Sequence, residues 1–298
     1  METVTFIGLG GMGGNMAGRL ADYFALSLYD LDAAKAAAVK GADVTVAPTM
    51  AGAIRKGGIV VTMLPDDKTL YAVTKGEQGI AALLGEGGLH INTSTISPQA
   101  ARELAACYEA TGGSYVAAPV WGRPDTAGKG GLVCSLAGPA EAKQRARTVI
   151  DKLAGTVQDF GEEPQLANVA KVIGNFLVVS AIEALGEGLA LAEKQGLDRI
   201  ALANLLTSTL FDCPVYKIYG KLVGAQASGP AGFSAELGLK DLRLVREIAA
   251  DVGTPLPLQN IIENRLITTI EKGRGKEDWS SLTWLAAEEA GLKRPVGQ

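Results

Sequence analysis

Two polar side chains, those of Lys171 and Asn175, interrupt an otherwise apolar stretch of the sequence. Because four residues separate them, a helix would place both on one face. Burial disfavours the charged form of a lysine and lowers its pKa, so Lys171 would be able to exchange a proton with a substrate hydroxyl that Asn175 orients. The alternative is that the lysine extends to solvent while the asparagine bonds a neighbouring helix, and the pair alone does not decide between them.

His90, the single histidine, is the other candidate for proton transfer near neutral pH. It lies in the apolar run LHINTST at residues 89–95, which is typical of a strand in a sheet. A side chain in that position packs inside the domain, so we interpret His90 as a structural residue. Proton transfer would then depend on another group.

A second pattern with chemical meaning is the run TVTFIGLGGMGGNMAGRL at residues 3–20. Gly8 would allow a tight turn, Gly10 would let a pyrophosphate approach the backbone, and Gly13 would let a helix pack closely on a strand. The N–H groups at the start of that helix bind anions. Asp30 follows Gly8 by 22 residues, near the spacing of a ribose-binding carboxylate. The pattern predicts a dinucleotide site, with a merely flexible glycine turn as the alternative.

The composition limits the class of protein. The chain has 298 residues, of which 47% are hydrophobic, and a formal net charge of −4, which predicts about two domains with full cores. Lysine and arginine are scattered, so we expect a small ligand and no nucleic acid. The longest apolar stretch, residues 172–182, contains Asn175 and is shorter than the ~20 residues that span a bilayer. With no signal pattern at the N-terminus, we expect no membrane association and no export.

The cysteines suggest a cellular compartment. Cys107, Cys134 and Cys213 are odd in number, lack C-x-x-C spacing and have apolar neighbours in the sequence. This pattern is typical of reduced thiols in a cytoplasmic protein. We therefore expect neither a disulfide nor a metal site.

The elements that position these residues can be predicted from the alternation of the sequence. Apolar runs that follow the first strand lie at residues 25–29, 58–64, 89–93, 114–120 and 132–137. Helix-like segments separate them, and Ser97 followed by Pro98 is typical of a helix start. The alternation predicts an α/β domain with a parallel, doubly wound sheet. A last strand at residues 156–160 leads to Gly161, which ends this domain, residues 1–161.

Residues 162–298 show a helical pattern only, which predicts an all-α domain. Its first segment, residues 165–194, is apolar almost all round, so it must be buried on several sides. Its small residues cost helix propensity, and close approach by another helix is the expected compensation. We expect this domain to bind substrate and to form a homodimer or a higher homo-oligomer, with burial inside one chain as the alternative.

Six blocks of sequence carry a resemblance to a known family. They are GLGGMGGNMAGRL at 8–20, TMLPDD at 62–67, INTSTISP at 91–98, APVWG at 118–122, KVIGN at 171–175 and FSAELGLKD at 233–241. In this order they resemble the β-hydroxyacid dehydrogenase family, which includes 3-hydroxyisobutyrate dehydrogenase and the glyoxylate and succinic semialdehyde reductases. The resemblance implies a Rossmann-type N-terminal domain, an all-helical C-terminal domain and an active site in the cleft between them.

The resemblance also implies a role for each matching residue. Lys171 would be the general acid/base, Asn175 would hydrogen-bond the substrate, and Gly122 would offer backbone to its carboxylate. The residues that would line the cofactor are Gly8, Leu9, Gly10, Gly11, Met12, Gly13, Asp30, Leu64, Pro65, Thr95 and Lys240. Thr95 would also lie near the substrate. For Lys240 the role depends on the resemblance, because the sequence alone favours a helix-face cation paired with solvent or Asp241.

One block departs from the family pattern. Where the family has Asp-Ala-Pro-Val-Ser-Gly-Gly, this chain has AAPVWGR at residues 117–123. The serine hydroxyl is replaced by Trp121, while Arg123 adds a fixed cation with several donors. We include Arg123 among the substrate-binding residues and expect a different or bulkier acid. The alternatives are ordinary packing for Trp121 and a surface cation for Arg123.

The charges near the ribose position favour one cofactor. Asp30 and Asp32 would oppose a 2′-phosphate, whereas Asp30 could bind both ribose hydroxyls of NAD. We therefore expect NAD as the preferred cofactor, with NADP still possible because Lys35 is close in the sequence.

The expected activity is hydride transfer between NAD(P) and a small β-hydroxy acid or the corresponding aldehyde or keto acid, without a metal. Candidate substrates are 3-hydroxyisobutyrate, a tartronate and glyoxylate pair, and a semialdehyde. One alternative is an NAD(P)H-dependent enzyme of the imine reductase type, although those enzymes generally carry a different residue at the position of Lys171. The other alternative is a non-catalytic NAD-binding scaffold, which would have no use for Lys171 and Asn175.

Overall fold

The protein is described by a computed structural model that covers residues 3–227 and 231–293. It divides into two compact units, residues 1–171 and 172–298. In the first unit, the main sheet consists of β1 (Thr3–Ile7), β2 (Ala25–Tyr29), β3 (Val44–Val46), β4 (Ile59–Thr62), β5 (Leu89–Asn92) and β6 (Ser114–Ala117). All neighbouring strands are parallel, in the order β3-β2-β1-β4-β5-β6. This is the strand order of a Rossmann fold, which confirms the predicted α/β class.

Helices surround this sheet in the first unit. They are α1 (Gly11–Leu20), α2 (Ala33–Ala38), α3 (Met50–Ala53), α4 (Asp67–Thr74), α5 (Ile80–Leu84), α6 (Pro98–Glu109), α7 (Pro124–Gly128) and α8 (Ala140–Leu153). The predicted start of α6 is confirmed, since Ser97 Oγ accepts a hydrogen bond from Ala100 N at 3.0 Å and Pro98 takes the first helical position.

Both faces of the main sheet are buried, as its continuous apolar runs require. Val4 and Phe6 join a core cluster with Met16 of α1, whereas Ile7, on the opposite face of β1, joins one with Leu104 of α6. The alternation follows the two-residue period of a strand. The carboxyl ends of the strands are thereby fixed at one edge of the sheet.

A second sheet of three strands corrects part of the predicted topology. It consists of β7 (Val120–Trp121), β8 (Leu132–Leu136) and β9 (Ala154–Asp159), with β7 antiparallel to β8 and β8 parallel to β9. The prediction that residues 132–137 and 156–160 extend the doubly wound sheet is wrong. Only Ala118 and Pro119 separate β6 from β7, whereas a parallel neighbour needs a crossover of a dozen residues, so the chain leaves the main sheet here.

Helix α9 (Gln165–Lys194) has the predicted bounds. Its first turns pack on the first unit: Ala167 is buried in that unit's core, and Ser135 Oγ lies 3.0 Å from the Ala167 carbonyl. For this reason the compact units divide inside α9, after Lys171, ten residues beyond the domain boundary that the sequence predicts.

The rest of the second unit is helical in its described residues, 172–227 and 231–293, in agreement with the predicted all-α class. Its further helices are α10 (Arg199–Ser208), α11 (Pro214–Ala225), α12 (Ala235–Asp251), α13 (Pro257–Thr269) and α14 (Thr283–Glu289), with a π-helical turn at Ile270–Arg274 and a 3₁₀ turn at Trp279–Leu282. A Cβ at Gly186 would lie 2.5 Å from Thr283 Cβ, so α9 packs closely at this glycine, whereas Gly188 is exposed and an added Cβ there would meet nothing within 4 Å.

Helix α9 is long and apolar enough, by length and composition alone, to cross a bilayer. Of its most apolar window, 44% is buried inside the protein, and the core helix of a water-soluble protein meets the same criterion. The helix also leaves apolar side chains on the surface: Ile173, Leu177 and Leu191 are 43%, 59% and 64% exposed.

Candidate functional site

The carboxyl edge of the main sheet brings together most of the predicted cofactor residues. Ligands bind at this edge in folds of this type. The residues found there are Gly8 to Gly13 after β1, Asp30 after β2, Leu64 and Pro65 after β4, and Thr95 after β5, whereas Gly122 follows β7 of the second sheet. Thr95 is half-buried between the buried Ser94 and Ile96, whereas Pro65 and Gly122 are exposed. The first unit thus presents one continuous set of loops that could bind a dinucleotide.

The glycine loop has the geometry that its sequence predicts. Gly8 has φ +90°, and a Cβ there would lie 2.4 Å from the Met63 carbonyl oxygen. A Cβ at Gly13 would lie 1.9 Å from the Gly8 carbonyl oxygen, so α1 packs directly on the loop. These two roles are confirmed. Gly10 and Gly11 are exposed, and an added Cβ would meet nothing within 4 Å. The open approach to the first turn of α1 fits a bound pyrophosphate.

A cavity of about 660 Å³ adjoins this loop. Its lining includes Leu9, Gly10 and Gly11 of the loop together with Lys35 and Lys40, which follow β2 in the sequence. The volume lies within the range of small-molecule and cofactor sites. The cavity therefore extends from the pyrophosphate position towards the side on which β2 ends.

Asp30 orders the loop. Its Oδ2 accepts a hydrogen bond from Leu9 N at 2.6 Å, and its Oδ1 accepts one from Asp32 N at 2.8 Å. A carboxylate has about four acceptor positions, so each oxygen of Asp30 can still accept a ribose hydroxyl. Lys35 Nζ lies 3.9 Å from the Asp32 carboxylate, which partly neutralises this cation of the cavity lining.

A buried hydrogen-bond network behind the strand ends was not predicted. Asn92 Oδ1 accepts hydrogen bonds from Ser94 N and Thr62 Oγ1, both at 3.0 Å. Ser94 Oγ in turn accepts one from Leu64 N at 2.8 Å. The network fixes the loop that carries Leu64 and the loop that carries Thr95 in position relative to each other. The signal in the sequence was the polar run Asn-Thr-Ser directly after an apolar strand.

His90 completes this network from the protein interior. It is fully buried, its Nε2 lies 2.8 Å from Thr62 Oγ1, and its ring packs against Tyr108 and Tyr115. Burial lowers the pKa of His90 to about 3, so the ring is neutral. The interpretation of His90 as a structural residue is confirmed, because it has no exposed surface with which to meet a substrate.

Lys171 lies against the ring of Trp121. Its Nζ is 4.9 Å from the ring centroid, and the residue is only 6% exposed, so the alternative of a lysine extended into solvent is not supported. One turn earlier on α9, Asn168 Nδ2 lies 3.5 Å from the carbonyl of Ile96, the residue after Thr95. The first unit thus holds a buried lysine against Trp121, on a helix that also contacts the loop after β5.

In the second unit, Asn175 is 5% exposed and donates a hydrogen bond from Nδ2 to Asp241 Oδ2 at 2.5 Å. This is the helix–helix hydrogen bond that the sequence offered as one alternative, and the substrate role of Asn175 stays a prediction. Lys240 Nζ lies 3.0 Å from Asp241 Oδ1, which confirms the expected pair. Asp241 itself was missed as a buried partner, although its place three residues after Gly238 puts it on the buried face of α12.

The remaining candidates are Arg123 and the cysteines. Arg123 is half-buried and precedes the first turn of α7, so its role at a substrate carboxylate stays a prediction. Cys107, Cys134 and Cys213 are free thiols. Within residues 3–227 and 231–293, no group of three or more histidine, cysteine or acidic side chains is arranged to hold a metal ion.

Comparison with known proteins identifies relatives over most of the chain. Residues 3–161 match the NAD binding domain of 6-phosphogluconate dehydrogenase, and residues 166–285 match the NAD-binding domain of NADP-dependent 3-hydroxyisobutyrate dehydrogenase. An uncharacterized oxidoreductase of Bacillus subtilis is 40% identical over 94% of this chain and 98% of its own. The mitochondrial 3-hydroxyisobutyrate dehydrogenase of Mus musculus is 30% identical over 96% of this chain and 87% of its own.

Solved structures agree with these relatives. A 3-hydroxyisobutyrate dehydrogenase from Salmonella typhimurium has a TM-score of 0.84 and 26% identity, with coverage of 96% of this chain and 100% of its own. An imine reductase from Bacillus cereus has a TM-score of 0.60 and 20% identity, covering 96% of this chain and 99% of its own, which shows a shared fold alone. The chain belongs to the β-hydroxyacid dehydrogenase family and is an NAD(P)-dependent oxidoreductase.

Proposed function

We propose that this protein transfers a hydride between NAD(P) and a small β-hydroxy acid or its aldehyde or keto acid counterpart, with Lys171 as general acid and base. The observation that supports this most strongly is the burial of the Lys171 amine within the unit that carries the glycine loop. A scaffold that only binds NAD has no need for a buried lysine there, since burying an ammonium group costs free energy.

The mechanism follows from the charge states of Lys171. When bound, the nicotinamide supplies the position that accepts or releases hydride. During oxidation, neutral Lys171 accepts the proton of the substrate hydroxyl as the C–H bond breaks. During reduction, the Lys171 ammonium donates a proton to the carbonyl oxygen, so no charged alkoxide is left in the site.

The substrate carboxylate needs donors as well as space. We propose that the exposed backbone of Gly122 and the guanidinium of Arg123 bind it, because a guanidinium matches a carboxylate with two parallel hydrogen bonds. Asp241 fixes the amide of Asn175, so that Asn175 can present one orientation to a substrate oxygen. This set favours small acids over neutral carbonyl compounds.

A panel of substrates tests the proposed function. The oxidation of NADH and NADPH should be followed with glyoxylate, succinic semialdehyde and a cyclic imine, and the reduction of NAD and NADP with 3-hydroxyisobutyrate and tartronate. We expect turnover with at least one of the acids. Turnover of the imine alone would favour the imine reductase alternative, and tight NADH binding without any turnover would favour a scaffold.

The cofactor preference follows from Asp30. We expect NADH to give the higher kcat/KM, because Asp30 and Asp32 repel a 2′-phosphate while Lys35 is held by Asp32. Asp30→Asn keeps an acceptor oxygen, whereas Asp30→Ala does not. Each should reduce the ratio of kcat/KM for NADH to kcat/KM for NADPH about tenfold, the effect of one charged hydrogen bond. The measurement is kcat/KM for both cofactors. A higher kcat/KM for NADPH than for NADH in the unaltered protein would refute the preference.

The exposed face of α9 leads us to propose a homodimer through the helical unit. Ile173, Leu177, Ala184 and Leu191 are exposed. They follow one another at spacings of four, seven and seven residues, which places them on one helix face as an apolar stripe suited to a second helix. Leu177→Glu should shift the sedimenting mass from at least twice the 30.8 kDa of the chain to the single value. Leu210→Glu, at a 78% exposed position elsewhere, is the control. An unaltered protein that sediments as a monomer would contradict the proposal.

A further inference from the structure

Trp121 occupies a defined position on the second sheet. It ends β7, where it pairs with Val133 of β8, and its neighbour Val120 is buried on the opposite face of the strand. The indole is half-buried and lies 4.9 Å from Lys171 Nζ. The ring and the amine therefore belong to separate elements, a strand end and a helix.

The same sheet also fixes the helix that carries the lysine. Ser135 of β8 has its hydroxyl within 3.3 Å of the Pro119 carbonyl and 3.0 Å of the Ala167 carbonyl. Pro119 lies two residues before Trp121, and Ala167 lies one helical turn before Lys171. One buried serine thus connects the segment that leads to Trp121 with the helix that carries Lys171. The fold itself therefore brings the ring and the lysine together.

A cation over the face of an aromatic ring within about 6 Å is attracted by the ring quadrupole, most strongly by tryptophan and more strongly when water is excluded. Lys171 is 6% exposed, so the contact is desolvated. A lysine stem has four rotatable bonds, and the ring restricts where its ammonium group lies. An aliphatic residue at position 121 would fill the space without attracting the cation.

We propose that Trp121 is a positioning residue whose indole face holds the Lys171 ammonium at the place from which it donates its proton. The proposal rests on the proposed acid/base role of Lys171. It explains why Trp121 stands where the family has a serine, since the ring acts on the proton donor rather than on the substrate carboxylate. The ring stabilises the protonated lysine more than the neutral one, and carbonyl reduction requires the protonated form.

The kinetic test compares substitutions at position 121. With NADH saturating and glyoxylate or succinic semialdehyde as probe, Trp121→Leu should lower kcat about tenfold, whereas Trp121→Phe, which keeps a ring, should lose no more than about threefold. The KM for NADH should change by less than about twofold, because the glycine loop is untouched. A purely structural role would show no rescue by phenylalanine.

Tyr71→Leu, which removes a ring 3.9 Å from Lys75 Nζ, is the matched control and should leave kcat unchanged.

A labelling test measures the contact without any turnover. Reductive methylation with formaldehyde and borohydride modifies neutral amines, and peptide mass spectrometry gives the modified fraction at Lys171. Loss of the ring should raise the labelling rate of Lys171 about threefold or more in Trp121→Leu but not in Trp121→Phe, with buried Lys143 as the internal reference. Equal rates in Trp121→Leu and the unaltered protein would overturn the proposal, whether or not either probe reacts.

The two proposals fail in different ways. If Lys171→Ala is inactive while Trp121→Leu turns over at the rate of the unaltered protein, the acid/base role stands and the positioning role is overturned. If Lys171→Ala keeps full activity, the acid/base role itself fails, and the positioning role that depends on it fails with it.

Discussion

Replacing Lys171 with alanine should lower kcat about 10³-fold, within the range that a positioned general acid or base contributes. The dissociation constant of NADH should change by less than about threefold, because the glycine loop, Asp30 and the network behind Leu64 are unaffected. The measurement pairs steady-state kcat for glyoxylate or succinic semialdehyde with a fluorescence titration of NADH. Lys194→Ala, at the exposed end of the same helix, is the control and should behave as the unaltered protein.

Lys171→Arg separates charge from proton transfer. Arginine keeps the cation but stays protonated at any working pH, so it cannot act as the base in the oxidative direction. We expect Lys171→Arg to remain far below the unaltered protein in kcat for 3-hydroxyisobutyrate oxidation. Equal losses of kcat and of NADH affinity in Lys171→Ala would instead assign the lysine to cofactor binding and contradict its proposed role.

Gly13→Ala should abolish NADH binding and lower the free energy of unfolding by several kcal/mol, since its Cβ would lie 1.9 Å from the Gly8 carbonyl oxygen. Gly10→Ala should behave differently. Its Cβ meets nothing within 4 Å in the protein, so stability should be retained, while NADH binding weakens about tenfold because the pyrophosphate approaches the backbone there. The measurements are thermal unfolding and NADH titration of each variant.

Gly18→Ala is the matched control for stability. It lies in the same helix and its Cβ also meets nothing within 4 Å, so alanine should raise the free energy of unfolding by up to ~1 kcal/mol through helix propensity alone. A Gly13→Ala protein that unfolds at the unaltered temperature and still binds NADH would show that the helix does not pack on the loop as the structure describes.

The parts of the fold that local sequence determines could be predicted. The turn at Gly8 and the helix start at Ser97 depend on residues within a few positions of each other, and both have the predicted form. The bounds expected for helix α9 agree with the structure because its apolar run is long and nearly continuous. Apolar periodicity and capping residues are local features, so they predict turns and helix bounds without knowledge of which distant residues pack together.

The parts that depend on distant pairing could not be predicted. The strand run at 114–120 divides at Pro119, which has no N–H group for a sheet, and the following strands pair with each other instead. Edge strand β3 was missed because it is only three residues long and largely exposed. Which sheet a strand joins is decided by connection length and tertiary packing rather than by its own composition.

The residues of the candidate site also fall into two groups, those that local sequence predicts and those that depend on distant pairing. The glycine loop, Asp30 and Lys171 stood out because each is an unusual residue type in its local surroundings. The buried partners Asn92 and Asp241 did not, because a polar residue near a strand end or within a helix is common, and its hydrogen bonds join residues 30 and 66 positions apart. The contact of Trp121 with Lys171 spans 50 positions of sequence and required the fold.

The proposed mechanism requires above all that the amine of Lys171 delivers the proton during carbonyl reduction. The most direct measurement is kcat of Lys171→Ala with saturating NADH and the best acid of the panel, with and without added ethylamine, whose ammonium form can replace the missing side chain. We predict a rate near background without the amine and an increase of at least about tenfold with it. A Lys171→Ala protein that reaches the unaltered rate with no amine present would contradict the proposed mechanism.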